Sequence, residues 1–325
     1  MSTPTTSPAE PTAPAGAHRA RGGGTPDAST RTARERRERR AAYLFMAPNL
    51  IGLTIFVAIP MVLSIILAFF RVDGFGGYDF VGLANFERMF ADPYFLASLG
   101  RTLVYLVVLV PGLFLSGLGL ALLVRHKFPL VGLFRTALFA PNVVSLVVVA
   151  LIWQFLLTDD VGFIARVLAR VGLTAPSWLG DPTFALPTVM IITIWFSMGY
   201  YMLIFLAGLQ DIPREYYEVA SLDGAGPWTT FRNITWPLLK PTSFFILLTS
   251  TIAVMTGGLD LLVILTGGGP ANSTTLVIYY VYQQAFVYGE FGYAAAIGSF
   301  IVLILLAWSA LLFAVTKGGR FSHAQ

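Results

Sequence analysis

Five stretches of this chain carry no charged residue and are long enough to cross a membrane as helices: Asn49–Phe70, Thr102–Val124, Thr136–Leu157, Thr183–Gln210 and Phe291–Thr316. About 20 apolar residues in a helix span the roughly 30 Å of bilayer hydrocarbon. A sixth run, Leu238–Thr266, is interrupted only by Lys240 at its start and by Asp260. Backbone groups in hydrocarbon must be paired internally, which favours helices for runs of this length. The expected fold is therefore an all-α integral membrane protein with six transmembrane helices. Charged residues make up 12% of the chain, about half the roughly 25% of soluble domains. Mean hydropathy is +0.73, which argues against a soluble globular enzyme. The first run is too long for a signal peptide, and no small-residue cleavage site follows it.

The composition also narrows the chemistry. With no cysteine there is no disulfide framework, no thiolate metal site and no thiol nucleophile. The three histidines, His18, His126 and His323, lie in the two tails and one short connection, a poor set for a metal site. No paired carboxylates stand inside a span, which argues against a membrane enzyme. None of Lys127, Lys240 and Lys317 follows a glycine, so the chain has no phosphate-cradling G-x-x-x-x-G-K-[ST] loop. The chain therefore has no such loop with which to hydrolyse ATP.

Residues 1–42 read as a disordered basic tail. They are rich in Pro, Ala, Thr, Gly and Arg and nearly free of large apolar side chains. The run Arg34–Arg40 fits a topogenic flank, with attraction to anionic lipid as a second effect, rather than a nucleic-acid site. With the N-terminus inside, sixteen of the 21 Lys and Arg residues fall on that side and five outside: Arg71, Arg88, Arg101, Arg166 and Arg170. Both termini are thus expected in the cytoplasm. The divisions are residues 43–71 for the first span, 72–98 for an external loop, 99–316 for a five-helix core and 317–325 for a C-terminal tail. Thr274–Tyr288, which carries Gln283 and Gln284, reads as an external or re-entrant stretch. Pro48, Pro60, Pro111, Pro141 and Pro187 allow kinks, and Gly117 and Gly119 allow close helix approach.

The connection 211–237 is the most informative segment. Pro213 suits a helix start, and Glu215 lies near the positive end of the helix dipole. Tyr216, Val219, Ala220 and Asp223 fall at helical spacing on one face. Gly224 can end the helix in the left-handed conformation. Gly226-Pro227 then turns the chain into a second short helix from Trp228 towards Ile234, and Pro237 marks the start of span five. Such a surface helix can dock in a partner's groove or serve as an amphipathic connector.

The residues of this loop resemble a family pattern. Glu218-Val219-Ala220, three residues, Gly224, nine residues, Ile234 and then Pro237 is similar to the EAA loop of binding-protein-dependent ABC importer permeases. Val219 and Trp236 stand where that pattern has Ala and Leu. Phe80-Val81-Gly82-Leu83-Ala84-Asn85-Phe86 resembles a stretch after the first span of those permeases. Leu265-Thr266-Gly267-Gly268-Gly269-Pro270 resembles one after the fifth. Arg101 departs from the family, which places Asn before the Thr. The resemblance runs from about Ala42 to Thr316 and points to the maltose-type carbohydrate subfamily, with its glycerol-phosphate relatives.

That resemblance implies a type I ABC importer permease fold, half of a translocation pathway and no catalysis by this chain. The loop residues Glu215, Glu218, Val219, Ala220, Asp223, Gly224, Ala225, Ile234 and Pro237 would couple to an ATPase, with Val219 and Ala220 packing into its cleft. The implied partners are a second homologous permease subunit in a heterodimer, two ATP-binding cassette subunits, an extracytoplasmic solute-binding protein (a lipoprotein in some systems) and membrane lipid, with no nucleic acid. ATP and Mg would be bound by the ATPase, and no cofactor by this chain. The location implied is the bacterial cytoplasmic membrane. The solute would be a carbohydrate, with glycerol 3-phosphate or a polyol as the alternative. Asp260 is either a pathway or gating group or an inter-helix partner. Trp195, Tyr200 and Tyr201 are either sugar-stacking aromatics or packing residues. Thr256, Gln154 and Asn142 are weaker candidates. An ion-gradient transporter is the rival class, but it calls for more buried ion-coordinating groups and a repeat, neither of which the sequence offers.

Overall fold

A computed structural model describes residues 28–72, 77–126, 128–159 and 161–315, together with the backbone but not the side chains of 28–38 and Arg40. The chain divides into two compact units, residues 1–61 and 62–325.

In the first unit, helix α1 covers Ala28–Leu53 and passes through a π-helical turn at Thr54–Ala58 into α2, Ile59–Leu67, which continues into the second unit. The apolar span is Ala41–Leu67. Helix thus begins inside the segment 1–42 expected to be disordered. Ala, Arg and Glu between positions 32 and 42 are strong helix formers, and a helix already nucleated by a membrane span extends into them at little cost. The rest of that segment, residues 1–27, lies outside the described residues, as does the C-terminal tail 317–325.

The second unit opens with a small hairpin, β1 (Phe70–Val72) antiparallel to β2 (Tyr78–Phe80), in the register Phe70 opposite Phe80. Helix α3 (Ala84–Ala91) follows, and then α4 (Pro93–Val124). The expected external loop 72–98 therefore holds a hairpin, a helix and the first turns of the second span. Asp92 starts α4 early: its side chain accepts the Tyr94 N–H, and Pro93 fills the first helical position.

The third span is not the continuous Thr136–Leu157 helix expected. Helix α5 (Val131–Phe139) and a 3-10 turn at Ala140–Val143 meet α6 (Leu146–Leu157) at a 96° bend. Pro141 lacks an N–H and cannot continue the ladder, and Val144 and Ser145 are extended. Helices α7 (Phe163–Arg170) and α8 (Pro182–Gln210) come next, then the short α9 (Arg214–Leu222), α10 (Pro227–Thr230) and α11 (Trp236–Leu238), the last two joined by a π-helical turn. Helix α12 (Lys240–Thr256) leaves α11 at 65°. The expected run Leu238–Thr266 breaks again at Gly257-Gly258 before α13 (Leu259–Leu265). Helix α14 (Val277–Tyr282) lies in the stretch read as external or re-entrant, and α15 (Phe291–Val315) is the last span. Among the described residues there are four continuous apolar helices of spanning length and two bent pairs. Each pair counted as one span makes six.

The core lies where α4 and α8 pack, around Leu109, Leu113, Val189, Ile192, Met202 and Phe205. Gly117 permits this approach: a Cβ there would stand 2.8 Å from the Tyr201 Cβ and 3.1 Å from its carbonyl carbon. The opposite stripe of α4, with Leu103, Val104, Val107 and Leu115, is exposed, as a lipid-facing surface must be.

Candidate functional site

The 211–237 segment forms two short helices around a sharp turn. Helix α9 ends in a two-bond C-cap: Ala225 N–H donates to Ala220 O at 2.9 Å and Gly224 N–H to Ser221 O at 3.2 Å. Gly224 makes this possible with φ +72°, and a Cβ there would meet no atom of the chain. The following helix runs from Pro227 to Leu238, further than the expected Trp228–Ile234 and through Pro237. The Tyr217 hydroxyl and Thr235 Oγ1 lie 3.2 Å apart and tie the two helices, and the Arg125 guanidinium caps the Tyr217 ring at 5.3 Å.

Tyr216, Val219, Ala220 and Asp223 share one groove of about 630 Å³ with Glu215, Ala225 and Ile234. Ala220 is only 7% exposed and stands at the base of this groove. Val219 and Glu218 remain exposed. Two exposed apolar residues were missed in the sequence: Leu222, 87% exposed, and Trp228, 71% exposed and stacked on Phe231 at 5.7 Å.

Arg101 stands just over two turns into α4 and Arg125 is its C-cap, so at 1.5 Å per residue the two arginines are about 36 Å apart along the helix. At the end away from α9, Asn85 donates from Nδ2 to Ala68 O at 2.8 Å and to Phe70 O at 2.9 Å, which fastens α3 to the hairpin. The second motif folds into a knot. Thr274 Oγ1 donates to Gly269 O at 2.8 Å, Thr275 Oγ1 to Gly268 O at 3.0 Å and the Tyr279 hydroxyl to Gly267 O at 2.8 Å. Thr102, only 2% exposed, accepts the Val277 N–H on Oγ1 at 2.9 Å and so pins the start of α14 to α4. Asp92 Oδ2 accepts from the hydroxyls of Tyr280 at 2.5 Å and Tyr293 at 2.6 Å. Burial alone would raise the Asp92 pKa, but the two hydroxyls and the backbone donors outweigh it and hold the carboxyl below its ordinary value. Burial, and next the bond to Asp92, push the Tyr280 hydroxyl above its ordinary range.

Residues 113–317 match the family described as binding-protein-dependent transport system inner membrane component. The chain belongs to that family. The sulfoquinovosyl glycerol transport system permease protein SmoG of Agrobacterium fabrum is 33% identical, over 86% of this chain and 89% of its own length. The lactose transport system permease protein LacF of Rhizobium radiobacter is 34% identical, over 83% of this chain and 92% of its own. Among solved structures, a bacterial ABC transporter involved in the import of the acidic polysaccharide alginate matches with a TM-score of 0.78 at 22% identity, covering 88% of this chain and 98% of that one. The protein is thus a multi-pass ABC importer permease with the expected fold.

In this permease the five pathway candidates do not gather at one point. Tyr201 is buried and lines an internal cavity of about 140 Å³ with Thr193 and Ser197, its neighbours at helical spacing on α8. Trp195 and Tyr200 fall outside that row and are exposed. The Trp195 ring packs on Trp153 at 5.4 Å and the Tyr200 ring on Tyr201 at 5.2 Å. Thr256 is exposed, with its hydroxyl donating to Ile252 O at 2.8 Å. Asp260 is exposed in the first turn of α13, just past the Gly257-Gly258 break. Gln154 has a structural role: its Nε2 donates to Ile264 O at 3.0 Å and ties α6 to α13.

Proposed function

We propose that this chain is one of two permease subunits of an ATP-driven, binding-protein-dependent importer of a carbohydrate, and that loop 211–237 is its contact with a cytoplasmic ATPase. The observation that carries the coupling role is the exposed pair Val219 and Leu222 on α9, with Trp228 beyond the turn, on a helix pair joined through Tyr217 and Thr235 and held to the end of α4 by Arg125 on the Tyr217 ring. Large apolar side chains on a polar loop mark an interaction surface. A push on α9 would pass through that tie to α12, whose start lies just past α11, as a rigid-body shift.

The sixteen-to-five distribution of basic residues supports a cytoplasmic position for this loop and for both termini, in the cytoplasmic membrane. The printed functions of SmoG and LacF support a carbohydrate solute. ATP and Mg would then bind the partner ATPase, of which two copies serve the permease pair, and a solute-binding protein would deliver from outside. Exposed Trp195, Tyr200, Thr256 and Asp260 would face the pathway between the two permease subunits.

The test is uptake by cells carrying Glu218→Lys or Gly224→Asp. Both variants should reach the membrane at normal levels and lose uptake. Wild-type uptake in both would remove the coupling role from this loop.

A further inference from the structure

A cavity of about 380 Å³ lies between the first turns of α4 and the segment after residue 271, at the end of α4 away from loop 211–237. That volume is at the lower end of the roughly 300–1,000 Å³ of small-molecule sites. Its lining is unlike theirs, being mostly polar: Arg101, Asn272, Gln283 and Gln284, with Tyr94 and Tyr288 at its sides.

Two of these groups lack partners suited to them. Gln284 is only 7% exposed, and among the described residues its side-chain amide makes no hydrogen bond. The residue is held in the wall, and its unpaired amide lines the cavity. Arg101 meets no carboxylate among the described residues. One guanidinium nitrogen donates to Thr275 O at a long 3.4 Å, which leaves most of its donors for the cavity.

The walls are fixed in advance. Thr102, next to Arg101, is bonded to Val277 N, and the Tyr280 hydroxyl is engaged by Asp92, so only the Tyr280 ring is offered to the cavity. No acidic residue lines the space, and the Asp92 carboxylate behind Tyr280 is taken up by the Tyr280 and Tyr293 hydroxyls, so Arg101 is the charged group at the cavity.

We infer that this cavity binds a small polyhydroxylated anion, a sugar or polyol bearing one carboxylate, sulfonate or phosphate, with Arg101 taking the charge and Gln284 a neighbouring hydroxyl. A planar guanidinium matches such an anion, and an amide both donates to and accepts from a hydroxyl. The inference rests on the transport reading only for placing this end outside, where arriving solute would meet it. The same chemistry occurs in the phosphate and glycerol of a phosphatidylglycerol headgroup, so the test separates the two sources.

The full-length chain in phosphatidylcholine nanodiscs is titrated by calorimetry with glucuronate, with glucose, and with short-chain phosphatidylglycerol. Glucuronate should bind saturably and glucose about tenfold or more weakly. Arg101→Gln and Gln284→Leu should each lose about tenfold or more, and Arg101→Lys should recover part of the loss. Thermal unfolding of the same samples identifies any variant that has merely lost its fold, and Arg101→Lys keeps the comparison valid if Arg101→Gln has. Displacement of glucuronate by phosphatidylglycerol at lower concentration would assign the site to lipid and uphold its chemistry. No saturable binding of either probe, or binding by folded Arg101→Gln and Gln284→Leu equal to wild type, overturns the inference. Binding with no ATP-driven uptake by the assembled complex would overturn the transport reading alone. Uptake with no binding would overturn this site alone.

Discussion

The two ends of α4 lie against segments of opposite character. At the Arg125 end, loop 211–237 is joined by Tyr217 to Thr235 and packs Ile212, Phe231 and Trp236 on the core, and it exposes Val219, Leu222 and Trp228. At the Arg101 end, segment 267–293 is knitted to itself through Thr274, Thr275 and Tyr279, and to α4 through Thr102 and Asp92. The first end offers the exposed apolar side chains on which the proposed coupling role rests. The second resists deformation and presents a polar cavity. On the proposed reading, force enters at the end with the exposed apolar side chains and the solute is met at the end with the polar cavity.

The largest expected effects should divide the ends by function. Glu218→Lys and Gly224→Asp should each lower uptake about tenfold or more, as loss of an interface hot spot does, while changing the melting temperature little. Gly224 has open space around its Cα, and Asp tolerates the left-handed conformation better than most residues, so the substitution spares the fold. A large loss of stability in either variant would mean that this end is as rigid as the other.

Thr102→Val should do the reverse. It leaves the buried Val277 N–H without its acceptor, at a cost of about 1–3 kcal/mol, read as a lower melting temperature. An unchanged melting temperature would show that the pin is dispensable.

A smaller effect is expected from pH. Because folding holds the Asp92 carboxyl below its ordinary 3.8, its contribution to stability is complete above that value and is lost as pH falls through the lower folded one. Asp92→Asn should flatten the fall in melting temperature in that acid range, and identical profiles would show that Asp92 does not stabilise this end. Arg88→Met should matter least. Its 3.0 Å ion pair with Glu290 is about half exposed and is expected to contribute about 0–1 kcal/mol.

What could be read from the sequence follows the physics of each part. The spans are legible because lipid demands long charge-free runs, and α8 and α15 begin and end within a residue of the charge-free runs. Their breaks are less so. Pro141 signals a kink, yet the 96° bend also needs Val144 and Ser145 extended, which tertiary packing decides. Strands of three residues are too short to show alternation, so β1 and β2 left no pattern. In the loop, the helical spacing of Tyr216, Val219, Ala220 and Asp223 correctly put them on one face, but spacing does not tell an inward face from an outward one. The resemblance alone assigns Ala220 to a partner's cleft, and spacing gives no sign of the exposed Leu222 and Trp228. Thr102 and Val277 are 175 residues apart, and no local signal joins them.

The chain contains no cysteine, so one introduced thiol is unique. Leu222→Cys and, separately, Asn272→Cys would be treated with a short bifunctional thiol- and amine-reactive cross-linker in native membranes, and the adducts identified by mass spectrometry. The expected result is an adduct of Leu222→Cys with an ATP-binding subunit and none of that subunit with Asn272→Cys. An ATP-binding subunit captured from position 272, or none from position 222 while the transporter remains assembled and active, would contradict the account.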